Sequence, residues 1–352
     1  MATKERPLAA NAKRWLTSPA GTPMLRGRWQ SPVTGLLALA VVGRLVLFAN
    51  LSQAQLDLAV VAFIYAIVAI GIALLYAQGG LLSIVHGGLW GIAAYMAAIL
   101  AMSHGWPMLP IMVVTAVSVA ILAALLATLS TRVQGSYFVI ILFAVAQIIQ
   151  DLMTDWGTVT NGPEGIVVTA APSIFGYQIS GLTRWYYVTL VTLLVVVALA
   201  ALVRRSRLGE RMRAIRDNRD LSRSVGINVR ATHMLAFAFS GALAAVAGVY
   251  WAYLEGYVDP SQYPPAISIE FILIILLGGA GYLLGPVVGA IVVVYLPTVL
   301  HLSPLLGQVV IGVIFIAVIL LSPQGISGLA DRSYRSVVAR LARALRPKGD
   351  AT

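Results

Sequence analysis

Apolar residues in this chain neither alternate nor keep to one helical face; they run on for many positions and are then cut by short polar, glycine- or proline-bearing stretches. A bilayer core of about 30 Å needs ~20 apolar residues in helical conformation, because hydrocarbon leaves no partner for an open backbone group. Runs that fit this rule fall at 33–49, 56–76, 81–102, 108–129, 137–153, 185–203, 232–254, 267–277, 287–300 and 305–321. The pattern predicts an all-α, polytopic transmembrane helical bundle of about ten crossings. The eighth and ninth runs are short and are interrupted by Gly278, Gly279, Gly281, Gly285 and Pro286, which predicts a broken or re-entrant passage there.

Charge supplies an independent check on that count. The net charge of +11 is gathered into three blocks: Lys4 to Arg28, nine arginines from Arg204 to Arg230, and Arg332 to Lys348. Cationic loops resist translocation, so such blocks mark the cytoplasmic side. Six crossings separate the first two blocks and four the last two. Both numbers are even, which puts the N- and C-termini and the central block in the cytoplasm, with Asp57, Asp155, Glu164, Glu255 and Asp259 outside. Arg184 departs from the rule, and Arg44 sits within the first apolar run. The expected organisation is a basic tail over 1–32, a transmembrane domain over 33–321 carrying a cytoplasmic loop at 204–231, and a second basic tail over 322–352. The first thirty residues, with Pro7, Pro19 and Pro23 among charged groups, do not read as a removable signal peptide.

Composition narrows the chemistry. With 59% hydrophobic and 11% charged residues and a mean hydropathy of +0.89, the chain is built for lipid. It has no cysteine and only four scattered histidines, so no thiolate or clustered metal site is expected, and no cofactor. The basic blocks are topological and do not form a nucleic-acid surface. No set of nucleophile and base suggests an enzyme. The three lysines precede Glu5, Arg14 and Gly349, so no GxxxxGK[ST] phosphate loop exists, and ATP-driven transport would need a separate ATPase.

Between Arg204 and Arg230, Leu208, Met212 and Ile215 fall at helical spacing, and Asp217 is placed to cap a short helix ending near Gly226. That segment, from Arg207-Leu-Gly-Glu-Arg-Met-Arg-Ala-Ile-Arg-Asp-Asn to Ser224-Val-Gly-Ile-Asn-Val, resembles the main cytoplasmic loop of LivM-type permeases, the membrane subunits of branched-chain amino-acid ABC importers. The glycine-rich stretch from Gly79 to Tyr95, the stretches Gly135-Ser-Tyr-Phe and Asn161-Gly-Pro-Glu-Gly, Ser268-Ile-Glu, the run Leu277 to Ala290 and Ser322-Pro-Gln-Gly are similar to further segments of that family, in order, over about 56–325. Val85, Gln147 and Asp220-Leu-Ser222 depart from its usual residues. The resemblance implies a homologous LivH-type sister permease, two cytoplasmic ABC ATPases, an extracytoplasmic solute-binding protein and a place in the inner membrane, with an amino acid or another small polar solute as cargo.

Candidate residues follow from position and chemistry. For the solute path they are His86, Gln147 and Glu270, with Gly79, Gly80, Gly278 and Gly279 at the interrupted segments. Equally, His86 suits a backbone-bonding role, and Gln147 with Gln150 and Asp151 suits helix-to-helix adhesion. For coupling to an ATPase they are Arg216, Asp217, Asp220 and Gly226; for contact with a binding protein, Asn161, Gly162, Pro163 and Glu164. The two glycine clusters are compatible with a five-plus-five internal repeat. The rival mechanism is an ion-gradient-driven carrier using Glu270, Asp57 or Asp151.

Overall fold

The computed structural model describes residues 52–328 apart from 134, 175, 176, 302, 322 and 323. The first apolar run with Arg44 and both basic tails lie outside the described residues.

Helix α1, Gln53–Gly79, starts from a reciprocal cap in which Ser52 and Gln55 each bond the other's backbone amide, and it ends at Gly80 in the left-handed region. Then come α2, His86–His104; α3, Met108–Ala127; and α4, Ser136–Asp155. A short turn of helix, α5, Gly157–Thr160, leads into the loop before α6, Leu182–Arg205. Two brief helices, α7, Arg207–Asp217, and α8, Arg219–Ser224, precede α9, Val229–Glu255. The chain closes with α10, Pro265–Gly278; α11, Gly285–Val299; and α12, Pro304–Leu321. Among the described residues, seven helical stretches are long and apolar enough to cross a membrane, with shorter apolar helices at Gly285–Val299 and Val309–Val318. The protein is therefore an all-α, multi-pass membrane protein.

Burial separates inner helices from outer ones. The apolar window of α1 is 83% buried, whereas those of α3, α4 and α6 are 22%, 28% and 33% buried. Helix α1 is the axis of the bundle, packed by α6, α9 and α11, while α9 also packs against α2 and α3. Hydrocarbon offers no hydrophobic drive between helices, so close backbone approach through small residues has to hold them. Gly248 of α9 faces Trp90 and Ala93 of α2, Gly241 faces Ala123 of α3, and Gly71 of α1 faces Ser240 of α9.

The short passage predicted around Gly278 to Pro286 is a tight turn between α10 and α11. Helix α11 nevertheless reaches from rim to rim. Gly281, just before it, accepts a bond from Arg204 on the basic side at 3.4 Å, and Tyr295 near its far end donates to the carbonyl of Gln55 at the opposite end of α1 at 2.9 Å. Arg184, the exception to the charge rule, is held by its own loop. It donates to the carbonyl of Gln178 at 2.9 Å and to the Ser180 hydroxyl at 2.8 Å.

Among the described residues, four two-residue strands lie at the rim away from the basic side. Strand β1, Ile166–Val167, pairs antiparallel with β4, Tyr257–Val258, and β2, Ser173–Ile174, with β3, Tyr177–Gln178.

Adding one methyl group at Gly248 forces α9 off α2, at a cost of about 1–3 kcal/mol typical of overpacking. Gly248→Ala is expected to lower the thermal unfolding midpoint of the detergent-solubilised protein. Gly312→Ala, where an added Cβ meets nothing within 4 Å, is expected not to lower it.

Candidate functional site

The basic side of the bundle carries the most specific geometry. Ser206 caps α7 by accepting from the amide of Leu208 at 3.2 Å, and that helix lays Gly209, Met212 and Ile215 inward. Its outer face holds Arg207, Glu210, Arg211, Arg216 and Asp217. Asp217 ends α7 and does not cap the next helix; Asn218 does, its Oδ1 accepting from the amide of Leu221 at 2.9 Å. The segment forms two short helices, bent at Asn218, where the backbone leaves the helical region for φ −157°. Helix α8 then stops before Gly226, whose φ of 84° favours glycine and whose surroundings are open.

Two side chains tie this pair of helices to the axis. Arg213 donates from one Nη1 to the Oε1 of Gln78 at 2.6 Å and to the carbonyl of Arg204 at 2.9 Å, and Arg216 donates to the carbonyl of Ala77. The last carbonyls of a helix have no intrahelical donor and carry partial negative charge, so guanidinium groups there are doubly favourable. Gly79 and Gly80 lie against Met212 and Arg216, where any side chain would press on them. The other face of α8 is open: Leu221 is 61% and Val225 68% exposed, beside the Asp220–Arg223 pair at 3.6 Å. Sequence reasoning missed Leu221 and Val225. Two aliphatic residues four apart in a short, charged helix were the available signal.

Within the bundle, His86 is wholly enclosed. Its Nδ1 lies 2.9 Å from the Ser83 hydroxyl and its Nε2 2.6 Å from that of Ser240, joining the start of α2 to α9. At the next residue, the amide of Gly87 donates to the Ser268 hydroxyl of α10 at 2.9 Å. Gly88 abuts Ile149 of α4 and Gly91 abuts Tyr263. The glycines of α2 thus let three neighbours approach at once.

The turns at the two glycine clusters have the same length. Gly80 to Val85 and Gly279 to Leu284 are both six-residue links that start at a glycine of positive φ, Gly80 at φ 66°, ψ 19° and Gly279 at φ 102°, ψ 94°, and end at a residue near φ −93°, ψ −5°: Val85 at φ −92°, ψ −9° and Leu284 at φ −95°, ψ −1°. Both lie on the basic side, and the helices they join run in the same sense, six crossings apart. A five-crossing offset would invert them, so these glycines do not support a five-plus-five repeat.

Toward the other rim, Trp90 packs edge-on or tilted against Tyr65, Trp251, Tyr263 and Phe271, with ring centroids 5.0 to 6.0 Å apart. Trp90 Nε1 and the hydroxyls of Tyr95 and Tyr263 are buried without a hydrogen-bonding partner among the described residues. Half-buried Glu270 and exposed Glu255 both act on Tyr65, and Asp57 lies within electrostatic reach of Glu255. Asp151 stands apart from them on α4. There the exposed Gln147 donates from Nε2 to Asp151 Oδ1 at 2.8 Å.

The outer loop is ordered from within. Asn161 adopts φ 63° and donates to the carbonyl of Gly165 at 2.9 Å, Thr160 bonds back to the carbonyl of Met153 at 2.7 Å, and Tyr257 donates to the carbonyl of Glu164 at 2.7 Å. Asn161, Pro163 and Glu164 are exposed, while Gly162 is buried beneath them.

Comparison with known proteins agrees with this architecture. The family described as branched-chain amino acid transport system / permease component matches over residues 55–319. The high-affinity branched-chain amino acid transport system permease protein LivM of Escherichia coli is 27% identical over 320 residues, which cover 84% of this chain and 74% of that protein. Its Salmonella typhimurium counterpart is 26% identical over 91% of this chain and 81% of its own length. Escherichia coli LivH, from the same type of system, is 26% identical over 75% of this chain and 91% of its own. No solved structure matches. A bundle of apolar helices with a basic helix pair clamped to its axis, matched by the family model over most of its length, belongs to the permease components of branched-chain amino-acid transport systems.

Proposed function

We propose that this chain is one of two paired permeases in an ATP-driven importer of the cytoplasmic, or inner, membrane, and that it carries branched-chain or other small amino acids. The relatives named for branched-chain amino acid transport support the cargo. A LivH-type sister permease, two cytoplasmic ABC ATPases and an extracytoplasmic solute-binding protein complete the assembly. The chain crosses the membrane ten times, counting the run at 33–49, and both basic tails, 1–32 and 322–352, flank the 33–321 permease domain on the cytoplasmic side.

The observation that carries the reading is the clamp of Arg213 and Arg216 on the end of α1. A topological loop has no need to grip the central helix. A segment that transmits force does. In this mechanism the ATPases hold the exposed face of α8, at Asp220, Leu221, Val225 and Gly226, and their closure pulls Arg216 and Asp217. The pull passes through Gln78, Gly79 and Gly80 to the link that leads into α2 and His86.

Outside, a loaded binding protein rests on Asn161, Pro163 and Glu164, with Gly162 shaping the turn beneath them. The solute path runs along the face of α4 that carries Gln147 and Asp151, past Glu270, toward the sister subunit. Gly278 and Gly279 give the second link the same freedom as the first. His86 acts at the hinge between α2 and α9.

Three measurements test this. Replacing Leu221 and Val225 together by Asp, or Gly226 by Pro, is expected to abolish co-purification of the ATPases; unchanged assembly and uptake would discard the docking assignment. Arg216→Ala is expected to leave assembly intact and to lower ATP-coupled uptake about tenfold, the worth of one charge-assisted hydrogen bond. Gln147→Leu is expected to lower the initial uptake rate with stability and assembly unchanged, and an unaltered rate would move the path off α4.

A further inference from the structure

A cleft of about 630 Å³ lies on the basic side between the link after α1, the start of α4, the bend from α7 to α8, and α9. That volume falls within the range of small-molecule sites. The clamp and the docking face described above leave it unexplained.

Its walls carry three kinds of chemistry. Arg216 and Arg219 bring two positive charges, and Asp217 brings one negative charge from between them. Arg216 spends one N–H on Ala77 and keeps further donors. Ser136 contributes the first turn of α4, which places the positive end of that helix at the cleft. Leu81, Leu82, Phe138, Val139 and Ile215 form an apolar wall. Burial, and then the like charge of Arg223, hold Arg219 below the usual guanidinium range, against the opposite pull of Asp220.

A carboxylate for the arginines, an ammonium group for Asp217 and a short apolar side chain for the wall describe one class of ligand. We propose that this cleft binds a free α-amino acid with an aliphatic side chain from the cytoplasm, and that its occupancy slows import. The inference rests on the reading of this chain as an amino-acid importer. A phosphate headgroup would satisfy the arginines but not Asp217.

The position explains the consequence. A bound amino acid joins the clamped unit of α1 and α7, at Arg216 and Asp217, to the start of α4, and the ATPase stroke has to move that unit relative to α4. Binding energy then opposes the stroke. Import falls as the product accumulates inside.

The test uses the whole importer in proteoliposomes, with ATP and the ATPase face in the lumen and leucine as the probe. Millimolar unlabelled leucine in the lumen is expected to lower the initial rate of labelled leucine uptake by roughly fivefold or more, the low end of ordinary allosteric coupling. Val139→Trp, which fills the cleft, and Arg219→Gln are expected to keep the empty-lumen rate and lose the inhibition. Calorimetric titration of leucine into the permease–ATPase complex without binding protein is expected to show binding in the wild type and none in either variant, and it decides the matter if a variant transports poorly. Absence of leucine uptake with an empty lumen would count against the proposed cargo and not against the cleft, which the titration still reads. The proposal is overturned if luminal leucine does not inhibit, if the variants remain inhibited, if no binding is seen, or if the rate follows anionic phospholipid content and ignores leucine.

Discussion

The carbonyl groups at the end of α1 are the point on which the rest of the structure turns. Helix α1 is the most buried of the bundle, and it stops on the basic side with its last carbonyls in need of donors. Gly80 turns back two amides to Leu75 and Tyr76, which leaves Ala77 and the Gln78 side chain for outside help. Arg216 and Arg213 provide it from a separate helix. An unsatisfied buried acceptor costs ~1–3 kcal/mol, so α7 cannot drift from α1 without that penalty. A surface helix and the central helix therefore move as one body.

The same constraint explains the glycines. A link from one membrane helix to the next must turn within a few residues and still satisfy its backbone, and Gly80 and Gly279 do this with positive φ while their neighbours pack too closely for side chains. Gly285 and Gly289 bring α11 against α10 at the backbone of Gly279 and Ile274. Both links bear on the arginine-rich side, one under Arg216 and the other under Arg204. Two joints of equal length therefore lie beneath one basic segment.

How much of this could be read in advance depended on the range of each interaction. Apolar runs and charge blocks are local, and they delivered the helical class and the positions of the described spans to within a few residues. The basic helix was legible from Leu208, Met212 and Ile215, but its bend was not, since Asp217 and Asn218 are both good caps and only the three-dimensional path chooses between them. The partners of His86 lie 3 and 154 residues away, and Ser240 carries no mark in the sequence that it faces an imidazole. The pairing of β1 with β4 joins strands some ninety residues apart, beyond any turn signal. Glycine clusters were visible as clusters. Their relation, parallel and six crossings apart, needed the side of the bundle on which each one turns.

The exposed faces of the outer helices separate lipid from partner. Helix α3 presents Val113, Val117, Ile121 and Leu125, and α6 presents Val191, Leu194, Val195 and Leu202, all aliphatic. Hydrocarbon accepts such faces at no cost. Helix α4 also exposes Ile140, Phe143 and Ile148, but Gln147 and Asp151 share that outward surface and bond to each other. Gln147 lies in the second half of α4 and Asp151 one turn from its end at Asp155, and polar side chains there are unfavourable against lipid tails unless paired or wet. A face that mixes large apolar side chains with a bonded amide–carboxylate pair is therefore better matched to another protein chain and a wet seam than to lipid tails. Helix α4 is also the helix whose first turn meets the basic bend.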